Sequence, residues 1–160
     1  MNEAESDYAI YGDHSDLTLN GDFTVCGNAA GIYGNNSPIT LYGTATANGG
    51  KYGIYGDHSD ITINGGLTAF GEVSGIYGNY SPITLYGTAT ANGGNYGICG
   101  DHSDITINGD LTAFGEASGI DGYYADININ GNVTSKGGSF GISPTSGDLN
   151  INSGAVDTSG

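Results

Sequence analysis

A 22-residue frame recurs along this chain, and no other feature of the sequence constrains the fold as tightly. From Ala9 it reads AIYGDHSDLTLNGDFTVCGNAA, and it restarts at Gly31, Gly53, Gly75, Gly97, Gly119 and Gly141. The early copies alternate between a DHSD type and an N-x-S-P type. The stretch SPITLYGTATANGG is identical at Ser37–Gly50 and Ser81–Gly94, which points to internal duplication. The last copy fits only with one extra residue near Ser153–Gly154. Self-similarity at a fixed period of this length implies a solenoid, in which each unit buries its apolar face against its neighbours.

Apolar residues within a copy alternate with period two, as strands do. Ile61 and Ile63 flank Thr62, Leu67 and Ala69 flank Thr68, and Tyr52 and Ile54 flank Gly53. Gly56, Gly65 and Gly71 are expected at corners, where the backbone needs freedom. Three short strands and three corners in one frame make one coil of a parallel β-helix. A left-handed coil follows a hexapeptide rule that these repeats lack, so the expected fold is an all-β, right-handed parallel β-helix of about seven coils. It is expected to span residues 1–160 as a single domain. Inward ladders follow from the register: Ile10 through Ile142, Leu17 through Leu149, and Leu19 through Ile151. At roughly 4.8 Å per coil the rod is about 34 Å long. Cys26 and Cys99 then lie on the order of 15–20 Å apart, beyond disulfide reach. Two free thiols suit a reducing compartment.

DHSD looks like chemistry, with two acids, a histidine and a serine together. Asp13 and Asp16, or their copies, could hold calcium weakly through carboxylate oxygens. His14, His58 and His102 recur every second coil, about 10 Å apart, so they cannot share one metal. The competing reading is a corner in which Asp and Ser bond the backbone. No resident cofactor is expected. Outward threonine rows (Thr18 to Thr106 and Thr24 to Thr134) resemble those of ice-binding solenoids, but Asn20, Tyr42, Asn64, Tyr86 and Asn108 interrupt the regularity. Catalysis on a β-helix needs an acid cluster or basic residues in a loop-walled groove. Arg is absent and insertions are almost absent, so no enzyme is expected.

Charge and aromatics carry the functional signal. Seventeen acids face two bases, Lys51 and Lys136, for a net charge of −15. That balance disfavours direct contact with nucleic acid or an anionic membrane, and no apolar run is long enough to span a bilayer. Asp13, Asp57 and Asp101 align along the rod, as do Asp16, Asp60, Asp104, Asp126 and Asp148. Asp22 and Asp110 mark a third edge, and Glu72 and Glu116 a fourth. A DNA duplex carries roughly 20 charges over about 34 Å, a density close to that of this rod. Acids also keep repetitive β proteins soluble and unpaired. Tyr11, Tyr33, Tyr55 and Tyr77 share one repeat position and could anchor a partner or a sugar ring, or simply stack on one another.

The cadence Asp60-Ile61-Thr62-Ile63-Asn64-Gly65-Gly66 resembles the repeats of bacterial right-handed β-helix proteins. Such repeats are common in clostridial and other Firmicute cell-surface proteins described as carbohydrate-binding or adhesin-like. In concept an acidic solenoid also resembles the DNA-mimicking pentapeptide-repeat inhibitors, with a different repeat length.

Together these features lead to two expectations. The first is a non-enzymatic inhibitor of the anti-CRISPR or anti-restriction type. It would present its Asp edges, with Tyr33, Tyr55 and Tyr77 as anchors, to a basic nucleic-acid-binding protein. If Met1 is the natural start, the absence of a signal-like segment leads to the cytoplasm of a host cell as the expected location, and phage encoding is what that class of inhibitor implies. The second is an extracellular polysaccharide-binding or adhesin-like solenoid, calcium-assisted, if the chain is an excised fragment. The open edge of the last coil is expected to pair end to end in a homodimer near Leu149, Ile151 and Val156.

Overall fold

Each 22-residue copy becomes one turn of a β-solenoid in the computed structural model, which describes residues 7–160. The strands of one turn are Tyr52–Asp57, Ile61–Ile63 and Gly66–Gly71. Their equivalents stack in parallel into three seven-stranded sheets, and no helix occurs among the described residues. The first sheet runs from Tyr8–Asp13 to Phe140–Thr145, the second from Leu17–Leu19 to Leu149–Ile151, and the third from Phe23–Gly27 to Val156–Ser159. All-β class, solenoid architecture and coil length are therefore as the periodicity implies.

Registers hold at 22 residues, as in Ile32 opposite Ile54 and Ile61 opposite Ile83. In the last turn Ile129 still faces Ile151, but Val133 faces Val156. The extra residue therefore enters between Ile151 and Val156, where the sequence placed it. Isoleucine ladders from the first two sheets meet an alternation of Ala45, Leu67, Ala89 and Leu111 from the third, and all are buried. Alternating large and small residues interdigitate in a narrow core. At the ends the ladders lose their cover: Ile10, Leu17 and Leu19 are half-buried, while Leu149 and Ile151 are 38% and 52% exposed.

Two local expectations are corrected. Tyr52 does not point inward with Ile54. The alternation breaks at Gly53, so Tyr52 lies on the outer face and stacks on Tyr55 and Tyr77. The cause is a close approach of the first and third sheets. A Cβ on Gly53 would lie 2.6 Å from the Gly75 carbonyl oxygen and 2.8 Å from that of Ala47. Only glycine fits where backbone meets backbone.

Gly71 closes its strand at a corner, as expected, but Gly56 does not make the corner after Asp57; it sits inside a strand and is buried. The left-handed backbone of that corner falls instead on His14, Asn36, His58, Tyr80, His102, Tyr124 and Ser146, with φ between 47° and 60°. Such a φ is uncommon outside glycine and costs about 1 kcal/mol or more per residue. The corner is held by hydrogen bonds to the next coil, including His58 N–H to the Asn79 carbonyl (2.9 Å) and Tyr80 N–H to the Asp101 carbonyl (3.0 Å). Its side chains also stack: Tyr80 lies 5.2 Å from the His58 ring and 4.8 Å from that of His102.

Candidate functional site

The DHSD corner is first of all a structural device. The Ser59 hydroxyl donates to the Asp57 carbonyl (2.9 Å) and accepts from the Ser37 N–H (2.7 Å). Ser81 and Ser103 repeat the arrangement one and two coils on, and these serines are buried. Asp57 Oδ1 lies 2.9 Å from His58 Nδ1 and accepts from Asn79 Nδ2 at 2.9 Å. Asp13 stands in the same relation to His14 and Asn35, and Asp101 to His102. An imidazole ring from an N-x-S-P coil never occupies the gap, so the histidines act singly, each beside its own aspartate. Among the described residues no group of three His, Cys, Asp or Glu side chains converges as a metal cluster.

The remaining acids divide by what lies on the next coil. Asp104 Oδ1 accepts from the Asp126 N–H, and Asp126 Oδ1 from that of Asp148 (2.9 and 2.8 Å). Asp22 accepts from the Thr44 N–H, and Asp110 from Asn132 Nδ2. Asp16 and Asp60 are different, because the equivalent positions above them are Pro38 and Pro82. Proline has no N–H to offer. The corner between the first and second sheets thus carries two parallel rows of aspartates. One is Asp13, Asp57 and Asp101; the other is Asp16, Asp60, Asp104, Asp126 and Asp148.

Beside this corner, on the outer face of the first sheet, the tyrosines form a continuous stack. Tyr11, Tyr33, Tyr55 and Tyr77 follow one another at centroid distances of 5.3, 4.8 and 5.2 Å. A second column inserts between them. Tyr8 meets both Tyr11 and Tyr33, and Tyr52 meets both Tyr55 and Tyr77. Burial, reinforced by neighbouring charge from Asp57, holds the Tyr55 hydroxyl well above the usual phenol range. Burial does the same for Tyr77, with Cys99 and Asp101 adding to it. Stacked faces are consumed by their neighbours, so this column offers a partner its edges and hydroxyls rather than open ring faces.

The stack ends at Tyr77. In the same register the following coils carry Cys99, Asp121 and Ser143. A cleft of about 300 Å³ opens there, with Tyr52, Tyr77 and Tyr96 on its walls and Asp101 and Asp121 among its lining. Burial pushes the Cys99 thiol up to about 12. It also raises the Asp121 carboxyl, against hydrogen bonds from Ser143 and Ser118 that lower it.

At the far end of the rod Leu149, Ile151 and Val156 line a shared depression with Phe140 and Ile142. Sequence reasoning placed the acidic rows and the tyrosine column in register and offered a corner in which Ser bonds the backbone, as it does, but it missed the coil-to-coil serine ladder and the cleft. The serine had a visible signal: it is the one residue common to DHSD, NNSP and NYSP. Comparison of the chain with protein-family models, curated proteins and solved structures gave no match.

Proposed function

We propose that this solenoid is a non-enzymatic binding protein whose acidic corner and tyrosine face engage a basic, nucleic-acid-binding protein in place of its nucleic acid. The observation that carries the reading is the pair of aspartate rows running along one corner of the solenoid, with the tyrosine column beside it. Two parallel lines of negative charge are what a protein groove built for phosphates accepts. Neither base interrupts this corner: Lys51 follows a third-sheet strand and Lys136 lies within one. Arginine and lysine of the partner would meet carboxylates, while the exposed tyrosine edges supply the aromatic contacts that anchor interfaces. An inhibitor of a nucleic-acid-processing enzyme, of the anti-CRISPR or anti-restriction type, is the biological class this describes, acting in the cytoplasm of a host cell.

The test is capture from host lysate on immobilised protein at low and at high salt. Retained proteins should bind nucleic acid, elute as salt rises and be displaced by duplex DNA. Salt-insensitive retention of a polysaccharide, with no basic protein bound, would overturn the proposal.

Such a result would instead favour a carbohydrate-binding or adhesin-like solenoid. One observation supports that second reading. Tyr42 and Tyr86, about half exposed, alternate with Asn20, Asn64 and Asn108 on the second sheet's flank, unstacked and beside amides. Open tyrosine faces next to amides suit sugar rings.

A further inference from the structure

We propose that the cleft at the end of the tyrosine stack is a socket for a guanidinium group, bounded by Tyr77 and Tyr96, floored by Ser74 and rimmed by Asp101 and Asp121. The inference deepens the reading of the acidic rod as a ligand for a basic protein, and rests on it for the source of that group.

The socket arises from two missing rings. Each tyrosine of the inserted column meets the main column in its own coil and in the next, as Tyr52 meets Tyr55 at 4.9 Å and Tyr77 at 5.1 Å. Tyr96 is the next member of that column, in register above Ser74. The positions it should stack on hold Cys99 and Asp121 instead. A space of about 300 Å³ is left beside these rings, and Asp101 and Asp121 are among the residues that border it.

A second observation points to a ligand. Ser74 is fully buried, lines the cleft, and its Oγ has no hydrogen-bond partner. Ser118, two coils on, bonds Asp121 three residues later; for Ser74 that place is taken by Tyr77. Buried hydroxyls without partners are rare and call for one. The hydroxyl can accept one N–H of an incoming group.

Three properties select the ligand class. The vacated space is that of a ring stacked on tyrosine, the carboxylates favour a cation, and the floor hydroxyl can accept from a donor. Guanidinium is planar, always charged, rich in N–H donors and well suited to lie on an aromatic face. An ammonium is a compact, strongly hydrated point charge and does not fill the place of a ring.

The probe is Nα-acetyl-arginine amide, titrated against the full chain while the tyrosine ring resonances are followed by NMR, with Nα-acetyl-lysine amide as the control. Saturable shifts confined to Tyr77, Tyr96 and their neighbours are expected for the arginine amide alone. Cys99→Tyr restores the ring that four other coils carry in this register, so it should fold and abolish binding. Asp121→Asn should weaken it about tenfold, the loss expected for one charge-assisted hydrogen bond. Equal response to the lysine amide, or undiminished binding by Cys99→Tyr, would overturn the socket.

The lysate capture separates the two sources of the group. If Cys99→Tyr loses both the probe and the basic protein, the guanidinium belongs to an arginine of that partner. If it loses only the probe, the socket serves a free guanidinium compound, and the partner assignment falls. A basic protein captured by a wild-type chain that ignores the probe leaves the acidic rod standing and sinks the socket. A probe bound with no basic protein captured does the reverse.

Discussion

The backbone N–H of Ser59 donates to the hydroxyl of Ser81 across the coil boundary, at 2.7 Å and out of reach of water. The same hydroxyl donates to the Asn79 carbonyl at 2.8 Å, which also accepts from the His58 N–H. Ser81→Ala strands the Ser59 N–H and leaves the Asn79 carbonyl with the His58 bond alone. The expected cost is about 1–3 kcal/mol, the penalty of leaving buried polar groups unpaired. It should appear as a lower urea midpoint at unchanged slope. Ser74→Ala removes a hydroxyl that bonds nothing, and its midpoint should not fall.

The two thiols should differ in reactivity. Cys26 is exposed, whereas Cys99 is buried and its thiol is pushed up to about 12. Thiolate is the reactive form, so access and charge state both protect Cys99. Iodoacetamide at pH 8 should label Cys26 at least tenfold faster, read by mass spectrometry of the native protein. Equal labelling would mean that the first sheet opens at Cys99 under native conditions.

Alkaline pH should destabilise the fold. Tyr55 and Tyr77 are held above their ordinary value by burial, so the unfolded chain gives up these protons first. Stability contributed by the neutral phenols is complete below about pH 10 and is lost as pH climbs toward the raised folded values. Cys99 acts in the same direction and begins lower, from its ordinary value of 9.0. Thermal midpoints should hold to about pH 9 and then decline. Tyr55→Phe should make the decline shallower, because one of the linked protons is gone.

An end-to-end homodimer through the last coil is a further expectation. Leu149 and Ile151 continue the core ladders yet stand 38% and 52% exposed. Covering what remains exposed of two such side chains contributes about 1 kcal/mol each. Light scattering at micromolar concentration should give twice the monomer mass, and the pair Leu149→Asp and Ile151→Asp should weaken the association at least tenfold. A monomeric wild-type chain would remove this interface.

What the sequence made legible was whatever the period controls. Coil length, the parallel stacking, the Ile32-to-Ile120 ladder and the position of the extra residue before Val156 all follow from counting. What it hid depends on contacts between sheets. Tyr52 reads as inward by alternation, but the closeness of Ala47 to Gly53 turns it out. His58 and Tyr80 read as ordinary corner residues, since nothing local announces a positive φ on a bulky side chain; the stack along the corner sustains it. The cleft was hidden for a similar reason. It is the consequence of rings that are absent at Cys99 and Asp121, and an absence is visible only once the neighbouring rings are in place.

The alternation of corner types also governs how such a chain can grow. Asn35 donates to Asp13, and Asn79 to Asp57, so an amide separates one carboxylate from the next. Removing a single coil would set Asp57 directly on Asp13, taking away the donor and opposing like charges across adjacent strands, which is destabilising. Removing two coils restores the order. The heritable unit is therefore the pair, and the identical stretches Ser37–Gly50 and Ser81–Gly94 lie one pair apart. Lengthening by duplication within these first coils is a matter of parity: an even step keeps each carboxylate of the Asp13 row beside its amide, and an odd step does not.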